Sequence, residues 1–410
     1  MALIVQKFGG TSVGDPDRIK RVARRIADTS RAGNEVIVVV SAMGKSTDDL
    51  IALAADITPD PPAREMDMLL TAGERISMAL VAMALHAEGV EAVSLTGSQA
   101  GILTDNEHGS AKITEIRGDR IRNSLDEGKV VIVAGFQGVS PDTKEVTTLG
   151  RGGSDATAVA LAAAHHAEVC EIYTDVDGVF TADPRVVPTA RKLDEISFDE
   201  MLELASSGAG VLMARSVEVG RRFNIPIHVR SSFHTDPGTW VKETTMEQAI
   251  VSGVAHDTSQ AKVTVAGVPD TPGVAARLFE AMSGGGVNVD MIVQNVSRAG
   301  HTDISFTVPR IQAQQAGRLA EAVGAELGSG PIDLNESIAK VSLIGAGMKS
   351  ESGIAARVFR ALADKSINID MISTSSIRIS CVVPEADVNN AVGTLVSLFN
   401  LEEVAEEVGA

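Results

Sequence analysis

Cysteine is nearly absent: Cys170 and Cys381 stand alone in unrelated segments of a 410-residue chain. Two thiols without metal-ligand spacing make neither a disulfide framework nor a zinc site, no metal centre is expected, and a reducing compartment follows. Aromatic residues are as scarce, at 3% with one tryptophan and one tyrosine, too few for a base-stacking platform. Positive charge is in deficit, with 36 Lys and Arg against 54 Asp and Glu and a net charge of −18. That balance repels nucleic-acid backbones and anionic membranes. No apolar run reaches membrane-spanning length, and the chain enters an apolar strand at Ala2 without a basic leader, so a cytoplasmic protein is expected. The partners left are small molecules and other subunits.

Small aliphatic residues are plentiful. Hydrophobic residues reach 44%, rich in Ala and Val, a composition suited to tightly packed α/β layers. The length exceeds what one core organises, so two or three domains are expected. In the first 240 residues, runs such as ALIVQKF, EVIVVVSAM, VVIVAGFQ and VCEIYTDVDG alternate with helical patterns, including a long one from Glu65 to Glu88. Strand followed by helix, repeated, predicts a mainly parallel sheet covered on both faces. Ligands of such sheets lie beyond the carboxyl ends of the strands.

The pattern changes after the turn signal Asp236-Pro237-Gly238, near a domain boundary. From Lys262 the chain reads KVTVAGVPDTPGVAARLFEAMSGGGVNVDMI, and from Lys340 it repeats as KVSLIGAGMKSESGIAARVFRALADKSINIDMI. Asn288 and Asp290 recur as Asn368 and Asp370. Two copies of one strand–helix–strand unit, each followed by a further strand, are the simplest account. The expected division is 1–240, 246–325 and 336–410. The repeats read as ligand sensors or as a duplication used only for dimerisation.

Four loops carry candidate chemistry. Lys7-Phe8-Gly9-Gly10-Thr11-Ser12 closes the first strand, and a helix begins near Asp15 with Pro16 in its first turn. Glycines there admit phosphate oxygens to backbone N–H groups, or simply make a tight turn. The stretch from Thr147, TTLGRGGSDATAVALAAA, places Arg151, Gly152, Gly153, Ser154 and Asp155 ahead of a small-residue helix. Arg151 offers a fork for a carboxylate or phosphate, and Asp155 an acceptor or magnesium organiser, while Ser154 and Asp155 also read as helix-start residues. The loop YTDVDGVFTADPR groups Asp175, Asp177 and Asp183 without calcium-loop spacing, as a nucleotide-contacting loop or as turn formers. Glu74, beside Gly73 in a long helical pattern, reads by default as part of a solvated face.

Taken in order, KFGGTSVG, SAMG followed by Thr47, LLTAGERIS, TLGRGGSD, YTDVDGVFTADPR and the duplication resemble the aspartate kinases of the amino-acid kinase family. The likeness spans essentially the whole chain and looks closest to the actinobacterial, lysine- and threonine-regulated type. It implies an α/β amino-acid-kinase fold followed by two βαββαβ ACT domains, and phosphorylation of L-aspartate by ATP, with Mg2+ carried on the nucleotide. It implies catalytic roles for Lys7 and Asp155, and an aspartate site of Thr47, Glu74, Arg151, Gly152, Gly153 and Ser154. Arg151 would clasp the α-carboxylate and Glu74 would face the α-ammonium. The nucleotide would meet Lys7, Gly9, Gly10, Ser41, Tyr173, Thr174, Asp175, Val179, Phe180, Asp183 and Arg185. Lysine, threonine or both would bind near Asp270, Gly273, Val274, Ala275, Asn288, Asp290, Gln294, Asn368 and Asp370. A homo-oligomer paired through ACT domains is implied, with Met246 a candidate start for a separate regulatory subunit.

Two departures from the family pattern stand out. In SSGAGVLMARS, Gly210 occupies the position of a family lysine associated with the nucleotide site, which predicts weaker ATP use. The second repeat has MKSESG where the first has DTPG, which predicts altered sensing there. The competing readings are another amino-acid kinase and a degenerate kinase fold that binds amino acids without phosphorylating them.

Overall fold

The computed structural model describes residues 1–244, 249–295 and 300–403; Met246 lies outside them. The chain divides into two compact units. The first comprises 1–179, 192–205 and 210–245, and the second 180–191, 206–209 and 246–410.

The first unit is built on an eight-stranded sheet. In spatial order its strands are Glu195–Ile196, Thr239–Val241, Ile227–Ser231, Val169–Thr174, Leu3–Phe8, Glu35–Val40, Val130–Ala134 and Ala92–Leu95. All neighbours are parallel except Ile227–Ser231 with Thr239–Val241. The near-continuous apolar strands EVIVVV and VVIVA are buried on both faces, as parallel strands must be. A smaller sheet holds Ile113–Ile116, Ile102–Thr104, Gln137–Val139 and Val146–Thr148.

Helix Pro16–Arg31 starts where the sequence signals it: Asp15 caps it by accepting from Arg18 N at 2.8 Å, with Pro16 in the first turn. Its buried Ile19, Val22, Ala23, Ile26 and Ala27 repeat at helical spacing. Each fully buried Ile contributes about 1.5–3 kcal/mol by leaving water. Helix Gly153–Ala164 buries nine of its residues, nearly all small. Small side chains let it lie close against the strands Leu3–Phe8 and Glu35–Val40, which brings its first turn to the strand ends. Helix Ala63–Ala87 is, by length and composition, apolar enough to cross a membrane. It nonetheless packs on helix Pro16–Arg31 and the sheet, and carries Asp67 and Glu74 on its buried face.

The second unit holds both repeats. One sheet orders Ile292–Gln294, His301–Pro309, Gln260–Pro269 and Ile332–Asn335; the other orders Gly253–Asp257, Ile338–Ile344, Arg378–Pro384 and Met371–Thr374. The linear division into 246–325 and 336–410 therefore does not follow the sheets. The strand ahead of each repeat pairs into the other repeat's sheet. The physical reason is local. Asp257 accepts from Ser259 N at 2.8 Å and Asn335 from Ser337 N at 2.9 Å. These equivalent Asx turns redirect the chain, so each leading strand finds its hydrogen bonds across the pair. The fourth strand of the second repeat's sheet, Gly253–Asp257, thus comes from upstream of the first repeat. Reciprocal ion pairs reinforce the exchange, Lys262 to Asp370 at 2.8 Å and Lys340 to Asp290. Met291, Ile338, Met371 and Val382 form a small shared core.

Candidate active site

Beyond the carboxyl ends of Leu3–Phe8 and Glu35–Val40 lies a cavity of about 580 Å³, wholly within the first unit. It gathers Lys7, Gly10, Ser41, Thr47, Glu74, Arg151, Gly152, Gly153, Ser154 and Asp155 from segments far apart in the chain. Its outer wall is helix Ser46–Ile57, which buries none of its own side chains.

Lys7 is the next-to-last residue of its strand, so its side chain leaves the sheet at the edge of the cavity. Its Nζ lies 2.6 Å from Asp155 Oδ1, with 12% and 10% of the two side chains exposed. A charge-assisted contact of this length fixes the ammonium while leaving its other protons for a second anion. Gly9 N donates to Tyr173 O at 3.2 Å and Gly44 N to Gly10 O at 3.0 Å, which holds the Gly-Gly turn beside the lysine. A side chain at Gly10 would meet Ala42 O at 2.8 Å, so only glycine fits.

Glu74 is not part of a solvated face. It is 4% exposed, and its Oε1 accepts from Ala42 N at 3.1 Å. The adjacent glycine explains how: a Cβ on Gly73 would sit 2.6 Å from that of Ala42, so glycine lets the helix abut this turn. The other carboxylate oxygen, Oε2, is buried without a partner among the described residues. Burial pushes the Glu74 carboxyl up to about 7, against the opposing hydrogen bond from Ala42 N. A buried carboxylate with one oxygen unmet at a cavity wall is a ready receptor for an ammonium.

Arg151 stands exposed between two left-handed glycines, Gly150 with φ 78° and Gly152 with φ 69°. Among the described residues no carboxylate pairs with its guanidinium. The cavity therefore presents one unpaired cation, one buried anion and one lysine held by an aspartate.

Asp67 is a wall residue that the sequence reading missed. Its carboxylate accepts from His108 Nδ1 at 2.6 Å, Thr148 Oγ1 at 2.5 Å and Gly109 N at 3.1 Å, tying the long helix to the loops around the cavity. The available signal was spacing: Asp67 precedes Glu74 by seven residues, two helical turns on one face. Phe136, Gly109 and Thr148 also line the cavity and were not singled out.

The nucleotide candidates from Tyr173 to Arg185 do not line this cavity. The Tyr173 side chain does not face the cavity; its ring stacks on Phe8 at 4.8 Å, lies 4.7 Å from the Arg25 guanidinium, and belongs to the core. Burial pushes its hydroxyl up to about 12. Thr174, whose hydroxyl donates to Asp175 at 3.2 Å, and buried Val179 remain in the first unit. Phe180, Asp183 and Arg185 belong to the second. There Phe180 packs on the core, and Arg185 Nη2 lies 2.7 Å from Asp183 and holds its carboxyl below the ordinary range.

Among the effector candidates, Asp290 and Asp370 are each already paired with a lysine of the other repeat, so neither carboxylate is unmet. Val274 is buried in the first repeat's core, with Ala275 packed against it. Gly273 caps the following helix at φ 99°. Asp270 N donates to Gly300 O at 2.9 Å, Gln294 is exposed on its strand, and Asn368 donates to Asp370 at 3.3 Å. A cavity of about 470 Å³ beside the first repeat takes in Asn288 and none of the others.

The Amino acid kinase family profile matches residues 2–231, and the ACT domain profile matches 263–322 and 341–399. An aspartokinase of Mycolicibacterium smegmatis is 58% identical over 407 residues, 98% of this chain and 97% of its own. The solved structure of E. coli aspartokinase III in complex with aspartate and ADP is 28% identical, with TM-score 0.83, covering 97% of this chain and 99% of that one. The same enzyme in complex with lysine and aspartate matches with TM-score 0.73 at 28% identity, covering 98% and 100%.

Proposed function

The chain belongs to the amino acid kinase family, and within it to the aspartokinases, and from that premise we propose that the cavity around Lys7 binds L-aspartate for phosphorylation by ATP. The carrying observation is the set of groups on one cavity: Arg151 without a carboxylate partner and Glu74 Oε2 without any partner among the described residues, beside the Lys7 ammonium held by Asp155. In this reading Arg151 takes the α-carboxylate as a two-pronged donor and Glu74 takes the α-ammonium. Thr47, Gly152, Gly153 and Ser154 complete the pocket, and the side-chain carboxylate is left free. That carboxylate is already ionised at neutral pH, so no general base is needed.

A side-chain oxygen of aspartate bonds to the γ-phosphorus of ATP as the bond to the bridging oxygen breaks, and the electron pair leaves with ADP. Lys7 neutralises negative charge gathering on the phosphoryl oxygens, and Asp155 fixes the ammonium that does so. Gly9 and Gly10 offer backbone close to that charge, with Ser41, Thr174, Asp175 and Val179 as further nucleotide contacts. Mg2+, carried on the ATP phosphates, adds charge neutralisation when bound.

The ACT repeats serve as amino-acid sensors. Lysine is the first effector to test, because the E. coli relative has been solved with lysine bound; threonine is the second. The exposed Ile292 and Ile372, 53% and 43% accessible on edge strands at matching places in the two repeats, support pairing of subunits through this unit. The buried, unpaired cysteines support a cytoplasmic setting.

The test is trapping with hydroxylamine: purified protein with ATP and L-aspartate is expected to yield aspartyl hydroxamate, dependent on both. Tight aspartate binding without hydroxamate would favour the non-catalytic reading, for which Gly210 is the relevant observation. Transfer to a different amino acid in preference to aspartate would reassign the substrate.

A further inference from the structure

We infer that Arg215 is a positioning residue for substrate recognition, holding the loop that aims Arg151; the inference rests on the aspartate site proposed above. The loop has little rigidity of its own. Gly150 and Gly152 flank Arg151 with positive φ, so the arginine sits between two residues of the most permissive type the chain has. Backbone bonds from Leu149 N to Phe136 O at 2.8 Å and from Gly153 N to Gly150 O at 3.0 Å secure its two ends.

The first turn of helix Ala214–Phe223 supplies the rest. Arg215 Nη2 donates to Ala111 O at 3.0 Å and Nη1 reaches Leu149 O at 3.4 Å. Ala111 N in turn donates to Thr148 O at 2.9 Å, so one guanidinium bridges the two backbone segments that meet beneath the loop. Among the described residues no carboxylate pairs with Arg215, and its guanidinium donates to these two carbonyls. Two residues earlier, Met213 occupies the space beside Gly152, where an added Cβ would fall 1.7 Å from Met213 Cγ. Glycine and methionine thus fit as a pair, and the helix start presses on the loop from the side where Arg215 pins it.

A planar fork can bridge two carbonyls at once, while a lysine ammonium is a single point charge. Arg215→Leu is therefore expected to raise the calorimetric Kd for L-aspartate about tenfold, with Arg215→Lys in between and ATP affinity within about twofold. The decisive arm is a double-mutant cycle with Arg151→Ala. If Arg215 acts through Arg151, replacing it in the Arg151→Ala background adds less than about twofold. Full additivity, equal losses for aspartate and ATP, or an unchanged aspartate Kd in Arg215→Leu would each overturn the inference. Should Arg215→Leu fail to fold by thermal melting, Arg215→Lys carries the same cycle. Because the readout is binding, a chain that binds aspartate without turnover refutes the proposed function and still tests Arg215.

Discussion

Lys7 with Asp155 in the first unit and Lys340 with Asp290 in the second are the same chemical pair in different settings. Lys340 is 3% exposed against 35% for Asp290, and the pair lines none of the described cavities; it joins two repeats that have exchanged strands. Lys7 and Asp155, at 12% and 10%, face a cavity that also holds Arg151 and the unmet oxygen of Glu74. A buried ion pair is therefore no sign of a site by itself. What separates the two regions is leftover bonding capacity, present around Lys7 and used up around Lys340.

Replacing each lysine breaks the comparison most sharply. Lys7→Ala is expected to lower kcat at least about 10²–10³-fold, the scale of losing one preorganised charge-stabilising donor. Lys340→Ala is expected to leave kcat near normal at saturating substrates. It should instead lower the melting temperature by several degrees, since a charged hydrogen bond is worth about 1.5–3 kcal/mol and Asp290 keeps partial access to water. Steady-state kinetics and thermal melts on both variants check the contrast.

Arg151→Ala comes next. Loss of a two-pronged partner for a carboxylate should raise the aspartate KM about 10- to 100-fold with ATP KM little changed. An unaltered aspartate KM would remove Arg151 from the substrate site.

Glu74 sharpens the comparison through pH. Its folded pKa is raised to about 7 by burial, so in the ligand-free protein the carboxyl is protonated at lower pH, whereas an ammonium needs the ionised form. Aspartate affinity should be full above about pH 8 and fall up to about tenfold per unit below pH 7, a range in which aspartate's own groups do not titrate. Glu74→Gln should weaken binding and flatten this profile. A profile unchanged in the variant would assign the titration elsewhere.

The smallest effect is expected at Gly210. The residue is exposed, with nothing within 4 Å of an added Cβ, so a lysine fits without strain. An exposed charge contributes only about 0.2–1 kcal/mol, so Gly210→Lys should improve ATP KM about fivefold at most, with aspartate KM unchanged. Gly210→Ala separates charge from backbone restriction.

The parts legible in the sequence are those set by local patterns. Parallel strands announce themselves as unbroken apolar runs, helix Pro16–Arg31 by Asp15 and Pro16, and the two repeats by their shared residues. Lys7, Arg151 and Asp155 stand out in the sequence because they lie in or beside glycine-containing segments at the end of a strand or the start of a helix. Asp67 escaped because its only local mark is the seven-residue spacing from Glu74, while its partners lie more than 40 residues away. The strand exchange escaped because adjacency in the chain suggests pairing with the nearer repeat. Tyr173 directly precedes a polar loop, yet its side chain lies in the core, which the loop's composition does not announce. The lysine partners of Asp290 and Asp370 are not legible in the sequence, because each comes from the other repeat.

The most direct measurement is calorimetric titration of the full chain with L-aspartate, succinate and β-alanine. Succinate lacks the ammonium that Glu74 is to hold, and β-alanine lacks the α-carboxylate that Arg151 is to hold. The account predicts that each analogue binds at least about tenfold more weakly than aspartate, the scale of one lost charged hydrogen bond. It also predicts that Glu74→Gln erases the preference over succinate and Arg151→Ala the preference over β-alanine. Analogues that bind as tightly as aspartate, or variants that keep both preferences, would contradict it.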